Sequence, residues 1–214
     1  MKYDTIIFDL DGTLLNTLID MTDSVNYVMD EFGFARRTIA EVRSFIGNGI
    51  LRLMELCVPG GKASDKLQPA YELFKKHYAQ HCLDKTEPYP GVTDMVKILK
   101  ARGYKMAVVS NKFDIGTKAL TKKHFSGYID PAIGETAGIR KKPAPDSVFE
   151  AMRILGSTKE KTVYIGDSDV DIATAKNAGL DLINVTWGFR DRTLLESLSP
   201  QMMADSADEV LALL

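Results

Sequence analysis

The sequence predicts an α/β fold: a doubly wound, Rossmann-like parallel sheet core with a small all-helical cap domain inserted after the first strand. Two observations carry that expectation. Short apolar runs bounded by glycine or acids recur along the chain, with single helix-length segments between the later ones, and from Thr17 to about Lys85 the periodicity is helical with no strand.

The runs are Thr5–Phe8, Lys105–Val109, Tyr128–Ile133, Thr162–Ile165 and Asp181–Val185, most of them with the continuous apolar character of strands covered on both faces. Helical segments run from Gly91 to Arg102, Pro145 to Leu155 and Asp169 to Ala178. They stop at Gly103, Gly156 and Gly179, the residue expected just past a helix end. Strands alternating with single helices make βαβ units, hence parallel pairing with helices on both faces.

In the interrupting stretch, Leu18, Met21, Val25, Val28, Met29 and Phe32 fall at helical spacing. Thr38 and Glu41 form a T-x-x-E capping box ahead of Val42, Phe45 and Ile46. A further face is Leu67, Ala70, Tyr71, Phe74 and Tyr78, and Pro69 implies that this helix starts later than Ser64 or is kinked early. "EPYPG" (Glu87 to Gly91) then has the composition of a stiff linker. The expected domains are therefore 1–16 with 87–214 as the core, and 17–86 as the cap.

At 214 residues the chain is long enough to bury about 70% of its unfolded surface. Apolar residues make up 45% and charged residues 26%, and the formal net charge is -2, a balance that points to no nucleic-acid or membrane partner. The start has too short an apolar run for a signal peptide, and no segment has the roughly 20 apolar residues of a membrane span, so a cytoplasmic protein is expected. Cys57 and Cys82 lack the spacing of a disulfide framework or a zinc site and read as plain thiols. Monomer and homodimer are both compatible with this composition.

In a doubly wound sheet, ligands bind beyond the carboxyl ends of the strands, and what stands there is chemically coherent. After the first strand come Asp9 and Asp11, and after the second Ser110 and Asn111. Lys142 stands in "KKPAPD" near the third, and Asp167, Asp169 and Asp171 follow the fourth in "GDSDVD". Each motif alone has an ordinary structural explanation as a turn, cap or helix-start acid. Together they would require four polar clusters to meet at one sheet edge by accident. Converging carboxylates repel unless something positive sits among them, and all-oxygen ligation favours a hard cation, Mg²⁺ before Ca²⁺ or Mn²⁺. Such a cation with a lysine and a hydroxyl makes a phosphate site, with Ser110 and backbone N–H groups on the oxygens and Lys142 offsetting their charge.

These motifs resemble the haloacid dehalogenase superfamily of phosphohydrolases. "DLDGTL" (Asp9 to Leu14), Ser110, Lys142 in "KPAP" and "GDSDVD" (Gly166 to Asp171) match its four motifs in order, over essentially the whole chain. "IGNGILRLM" (Ile46 to Met54) and "YPGV" (Tyr89 to Val92) resemble its phosphoglycolate phosphatase-like branch.

The resemblance implies a Mg²⁺-dependent phosphatase for a small phosphorylated metabolite. Asp9 is then the nucleophile that forms an aspartyl phosphate, and Asp11 the acid and base. Mg²⁺ is held by Asp9, the Asp11 carbonyl and Asp167, with Asp171 bonding through water or orienting that shell. The phosphoryl oxygens fall to Ser110, Lys142 and backbone N–H groups near Gly12 and Asn111. Asn48, in the Gly47–Gly49 turn, is a candidate substrate contact from the cap, and Asn16 stands where the family commonly has an acid. A β-phosphoglucomutase-like transferase or a pyrophosphatase would use the same motifs. A phosphate-sensing module without turnover is the alternative from another class, although such modules have no use for an acid beside the nucleophile.

Overall fold

The structure is a computed structural model in which residues 2–214 are described. The chain divides into two compact units: Met1–Asn16 with Pro88–Leu214, and Thr17–Glu87.

In the first unit, β1 (Thr5–Phe8) is wholly buried and the two-residue strand β2 (Leu15–Asn16) follows it. The second unit comes next: α1 (Leu18–Glu31), α2 (Ile39–Phe45), α3 (Ile50–Cys57), a short 3₁₀ turn at Gly61–Ala63, and α4 (Leu67–His81). The chain then passes through β3 (Glu87–Pro88) into α5 (Val92–Ala101), β4 (Lys105–Phe113), α6 (Asp114–Phe125), β5 (Ala132–Glu135) and α7 (Asp146–Leu155). It finishes with β6 (Thr162–Gly166), α8 (Asp169–Ala178), β7 (Asp181–Val185), α9 (Arg192–Ser197), β8 (Met202–Ala204) and α10 (Ala207–Leu213).

Six strands form one sheet in the order β5-β4-β1-β6-β7-β8, with every neighbouring pair parallel. β1 lies between β4 and β6, so the chain builds outward on one side and then returns to build on the other. The reversal makes a topological switch point at the carboxyl end of β1. Ile7, Ala107, Val109, Ile133, Tyr164 and Leu182 line one sheet face and pack with Val148, Ala151 and Met152 of α7 and Ala175 and Ala178 of α8. Each large apolar side chain removed from water there contributes about 1.5–3 kcal/mol. Gly156 and Gly179 close α7 and α8 in the left-handed conformation, as expected from their positions.

Two strand readings need correction, and a helix and a strand are added to them. β4 runs on to Phe113 instead of ending at Val109, so Ser110 and Asn111 lie on the strand, where its register with β5 shifts between Val109 and Phe113. β5 begins at Ala132, because the N–H groups of Tyr128 and Ile129 turn back to the Phe125 carbonyl at the end of α6 and Pro131 has none to give. The helix α6 and the strand β8 were not anticipated. The buried face of α6 is Gly116, Thr117, Leu120, Thr121 and Phe125, too polar to read as an apolar stripe.

The second unit is all-helical. Met21, Val25, Val28 and Met29 are the buried face of α1, and Ala70, Phe74 and Tyr78 that of α4, which takes Pro69 in its first turn. The Thr38–Glu41 capping box is present, with both reciprocal bonds. The unit also holds a buried carboxylate: Asp20 accepts from the N–H groups of Lys85 (3.0 Å) and Thr86 (2.9 Å) and from the Thr86 hydroxyl (2.8 Å). That ties the first turn of α1 to the segment that follows α4. Cys57 and Cys82 are buried free thiols, and burial pushes the Cys57 thiol up to about 12. Among the described residues no helix is long and apolar enough to cross a membrane.

Candidate active site

β1 delivers Asp9 directly after its last apolar residue, where the Asp9 N–H still donates to the Ile165 carbonyl (2.9 Å). The chain then turns sharply. Gly12 sits at φ +91°, and a side-chain carbon there would collide with the carboxylate of Asp167. Gly188 makes room for Asp167 from the other side, and Gly166 does the same for Asp171.

Asp9, Asp167 and Asp171 are buried with oxygens within 4.8 Å of one another. Lys142 lies among them, its Nζ 2.8 Å from Asp9 Oδ1, 2.8 Å from Asp171 Oδ1 and 3.0 Å from the Tyr164 hydroxyl. Asp171 Oδ1 also accepts from that hydroxyl (3.0 Å). Its Oδ2 accepts from the N–H (3.1 Å) and hydroxyl (2.6 Å) of Ser168, the N-cap of α8. With each oxygen accepting twice, Asp171 orients Lys142 and adds negative charge to the cluster. Asp167 accepts once at each oxygen, from the Thr13 hydroxyl (3.1 Å) and the Phe189 N–H (2.7 Å). Among the described residues, Asp9 Oδ2 accepts from no protein group.

Burial drives the electrostatics. It raises Asp9 well above the carboxylate range; Lys142 opposes the rise, while Asp171 and Asp167 add to it. Burial and then Asp171 push Asp167 up to about 7, against the Phe189 N–H and the Thr13 hydroxyl. Burial works against the charge on Lys142, yet Asp171 and Asp9 raise it well above its ordinary value. Three carboxylates around one ammonium leave an excess of negative charge, held by oxygen donors only. The donor set and the charge both fit a hard divalent cation.

On the strand beside β1, Ser110 is buried. Its Oγ accepts the Lys112 N–H (3.2 Å), leaving its hydroxyl hydrogen to donate. The Asn111 side chain donates to the Lys142 carbonyl (3.0 Å), so it supports the loop that carries the lysine. The N–H of Gly12 itself donates to the Leu15 carbonyl (2.9 Å), and its lack of a side chain clears space for Asp167. Asn48 lies exposed on the Gly47–Gly49 turn of the helical unit. Asp169 stands apart from the cluster, paired with Arg190 at 2.8 Å, and Lys141 is exposed. Trp187 donates its indole N–H to the Thr13 carbonyl (3.0 Å), bracing the turn after β1.

Sequence reasoning passed over Tyr164, Ser168, Thr13 and Lys112. Tyr164 was hidden inside an apolar run, because its ring belongs to the core while its hydroxyl reaches Asp171. Lys112 could have been found. It stands two residues after Ser110 on a strand, hence on the same face, and its Nζ lies 2.9 Å from Asp11 Oδ1 with the lysine side chain 2% exposed.

Residues 6–185 match the family model described as haloacid dehalogenase-like hydrolase. A phosphoglycolate phosphatase of Aquifex aeolicus is 36% identical over 186 residues, covering 86% of this chain and 85% of that protein. One from Mesorhizobium japonicum is 31% identical, covering 92% and 88%. Among solved structures, a phosphoglycolate phosphatase candidate from Lactobacillus delbrueckii superposes with a TM-score of 0.90 at 37% identity, over 98% of this chain and 97% of that one. Carrying the acids, serine and lysine on the six-stranded sheet described above, this chain belongs to the haloacid dehalogenase-like hydrolase family, with phosphoglycolate phosphatases among its similar relatives.

Proposed function

We propose that the chain hydrolyses a small phosphate monoester of the 2-phosphoglycolate type through an aspartyl phosphate on Asp9. The observation that carries this reading is the state of Asp9. One carboxylate oxygen is fixed by Lys142 at 2.8 Å, and the other has no protein partner among the described residues, at the switch point of the sheet. Asp9 Oδ2 attacks phosphorus, the ester P–O bond breaks, and the leaving alcohol takes its proton from Asp11. Asp11 then removes a proton from the water that attacks the phosphoryl group, so that phosphate leaves and the Asp9 carboxylate is restored. Ser110 donates its hydroxyl hydrogen to a phosphoryl oxygen, and Lys142 offsets the charge that develops there.

Mg²⁺ fits the acids described above. Asp9, the Asp11 carbonyl and Asp167 would hold it, with Asp171 orienting the shell, and when bound it supplies positive charge to the phosphoryl oxygens. The names of the similar relatives support the substrate class. The helical unit, with Asn48 on its exposed turn, is assigned the selection of the leaving group.

The test is phosphate release from a panel of small esters and pyrophosphate, with Mg²⁺ and with chelator, alongside Asp9→Asn. Mg²⁺-dependent release that peaks on 2-phosphoglycolate and vanishes in Asp9→Asn is expected. Full activity in Asp9→Asn would remove the nucleophile assignment. Isomerisation of a hexose 1-phosphate without net phosphate release would replace hydrolysis by transfer.

A further inference from the structure

The core brings two lysines to the carboxyl end of the central strands, and they are divided between the two catalytic aspartates. Lys142 holds Asp9, Asp171 and the Tyr164 hydroxyl, on the side where phosphorus is attacked. Lys112 reaches Asp11 at 2.9 Å and is as deeply buried, its side chain 2% exposed against 3% for Lys142. Charge stabilisation of the phosphoryl group accounts for Lys142 and for Ser110. It does not account for a second buried ammonium beside the residue that meets the leaving oxygen.

We propose that Lys112 is a specificity-determining residue that selects phosphate esters whose leaving alcohol carries its own carboxylate. This rests on the proposed roles of Asp9 and Asp11 and adds a recognition element for the far end of the substrate. Since Asp11 faces the leaving oxygen, the ammonium bonded to Asp11 lies on the leaving-group side. A carboxylate one carbon from that oxygen gains attraction to a charge held in low dielectric, where it is worth far more than in water. A neutral alkyl group packed at the same place gains no such attraction, so it goes unrewarded. The rigidity of the element favours discrimination. Lys112 stands on β4, two residues from Ser110, and its own N–H donates to Ser110 Oγ at 3.2 Å, so leaving-group and phosphoryl recognition share one strand segment.

The experiment compares kcat/KM for 2-phosphoglycolate and for ethyl phosphate, which has the same carbon chain without the carboxylate, in wild type, Lys112→Met, Lys112→Gln and Lys112→Arg. The readout is the ratio of the two values within each protein, which a general loss of folded enzyme leaves unchanged. A wild-type preference for the carboxylated ester of about 30-fold or more is expected. The ratio should fall to within a few-fold of unity in Lys112→Met and in Lys112→Gln, either variant sufficing, and be largely kept in Lys112→Arg. A ratio in the Met or Gln variant equal to that of wild type would overturn the assignment, as would a wild type indifferent to the carboxylate. Asp9→Asn in the same assay separates the two claims, because activity surviving there removes the nucleophile while the Lys112 ratio still reports on recognition.

Discussion

Both units of this protein bury carboxylates, and they do so in opposite ways. In the helical unit, Asp20 is satisfied by two backbone N–H groups and a hydroxyl, all neutral donors fixed by the local chain. In the sheet unit, Asp9, Asp167 and Asp171 surround one ammonium and repel one another, and burial holds Asp9 and Asp167 above their ordinary range. The first arrangement is complete as it stands. The second is complete only with further positive charge, which is the physical difference between a carboxylate that holds a fold together and one arranged for chemistry.

The comparison is broken most sharply at its functional end. Asp9→Asn should lower phosphate release by about 10⁴-fold. In chelator its thermal midpoint should be equal to or above that of wild type, since one buried negative charge has been removed from an over-acidic cluster. A large drop in midpoint would make Asp9 a structural acid like Asp20.

The reverse pattern belongs to Asp20→Ala. Removing the common acceptor leaves the buried Thr86 N–H and hydroxyl without a partner, and a loss of about 2–4 kcal/mol in denaturant-induced unfolding is expected. Fluorescence-monitored urea unfolding would check it, and stability equal to wild type would remove the contrast.

Tyr164→Phe tests the border between the two behaviours, because the ring is core and only the hydroxyl belongs to the site. Losing the bonds to Lys142 and Asp171 should cost about 1 kcal/mol of stability and several-fold in kcat/KM, with the apolar packing kept. An unchanged kcat/KM would mean that Asp171 alone suffices to orient Lys142.

The smallest effect lies at a surface ion pair and supplies the ordinary case. Hydrogen bonds from Lys2, Tyr3 and Gln201 pull Asp181 down to about 2. A carboxyl depressed in the folded state stabilises fully above its unfolded value, about 3.9, and ceases to do so as pH falls through the folded value. Asp181→Asn should therefore be less stable than wild type at pH 6, with the gap closing between pH 4 and pH 2 in paired urea titrations. A gap that widened toward pH 2 would reverse the sign of this linkage.

How much of this was legible beforehand varies by element. The strands Thr5–Phe8 and Asp181–Val185 and the helices that stop at Gly156 and Gly179 follow from local pattern, because apolar runs and left-handed glycines act over a few residues. The acids after β1 and β6 were legible for the same reason. α6 was not, because a buried face with two threonines and a glycine carries no apolar period, and its burial is decided by the sheet it covers.

The sequence by itself determined the α/β alternation, the helical interruption and the identities of Asp9, Asp11, Ser110, Lys142, Asp167 and Asp171, since these depend on composition and short-range spacing. Only the tertiary structure decided which groups share charge. It placed Lys112 on Asp11, joined Tyr164 to Asp171, committed the Gly12 N–H to Leu15 and gave Asp20 its donors from residues 85 and 86. Those pairings span up to 101 positions along the chain, and a through-space force acting over about 3 Å leaves no periodic trace in the order of the residues.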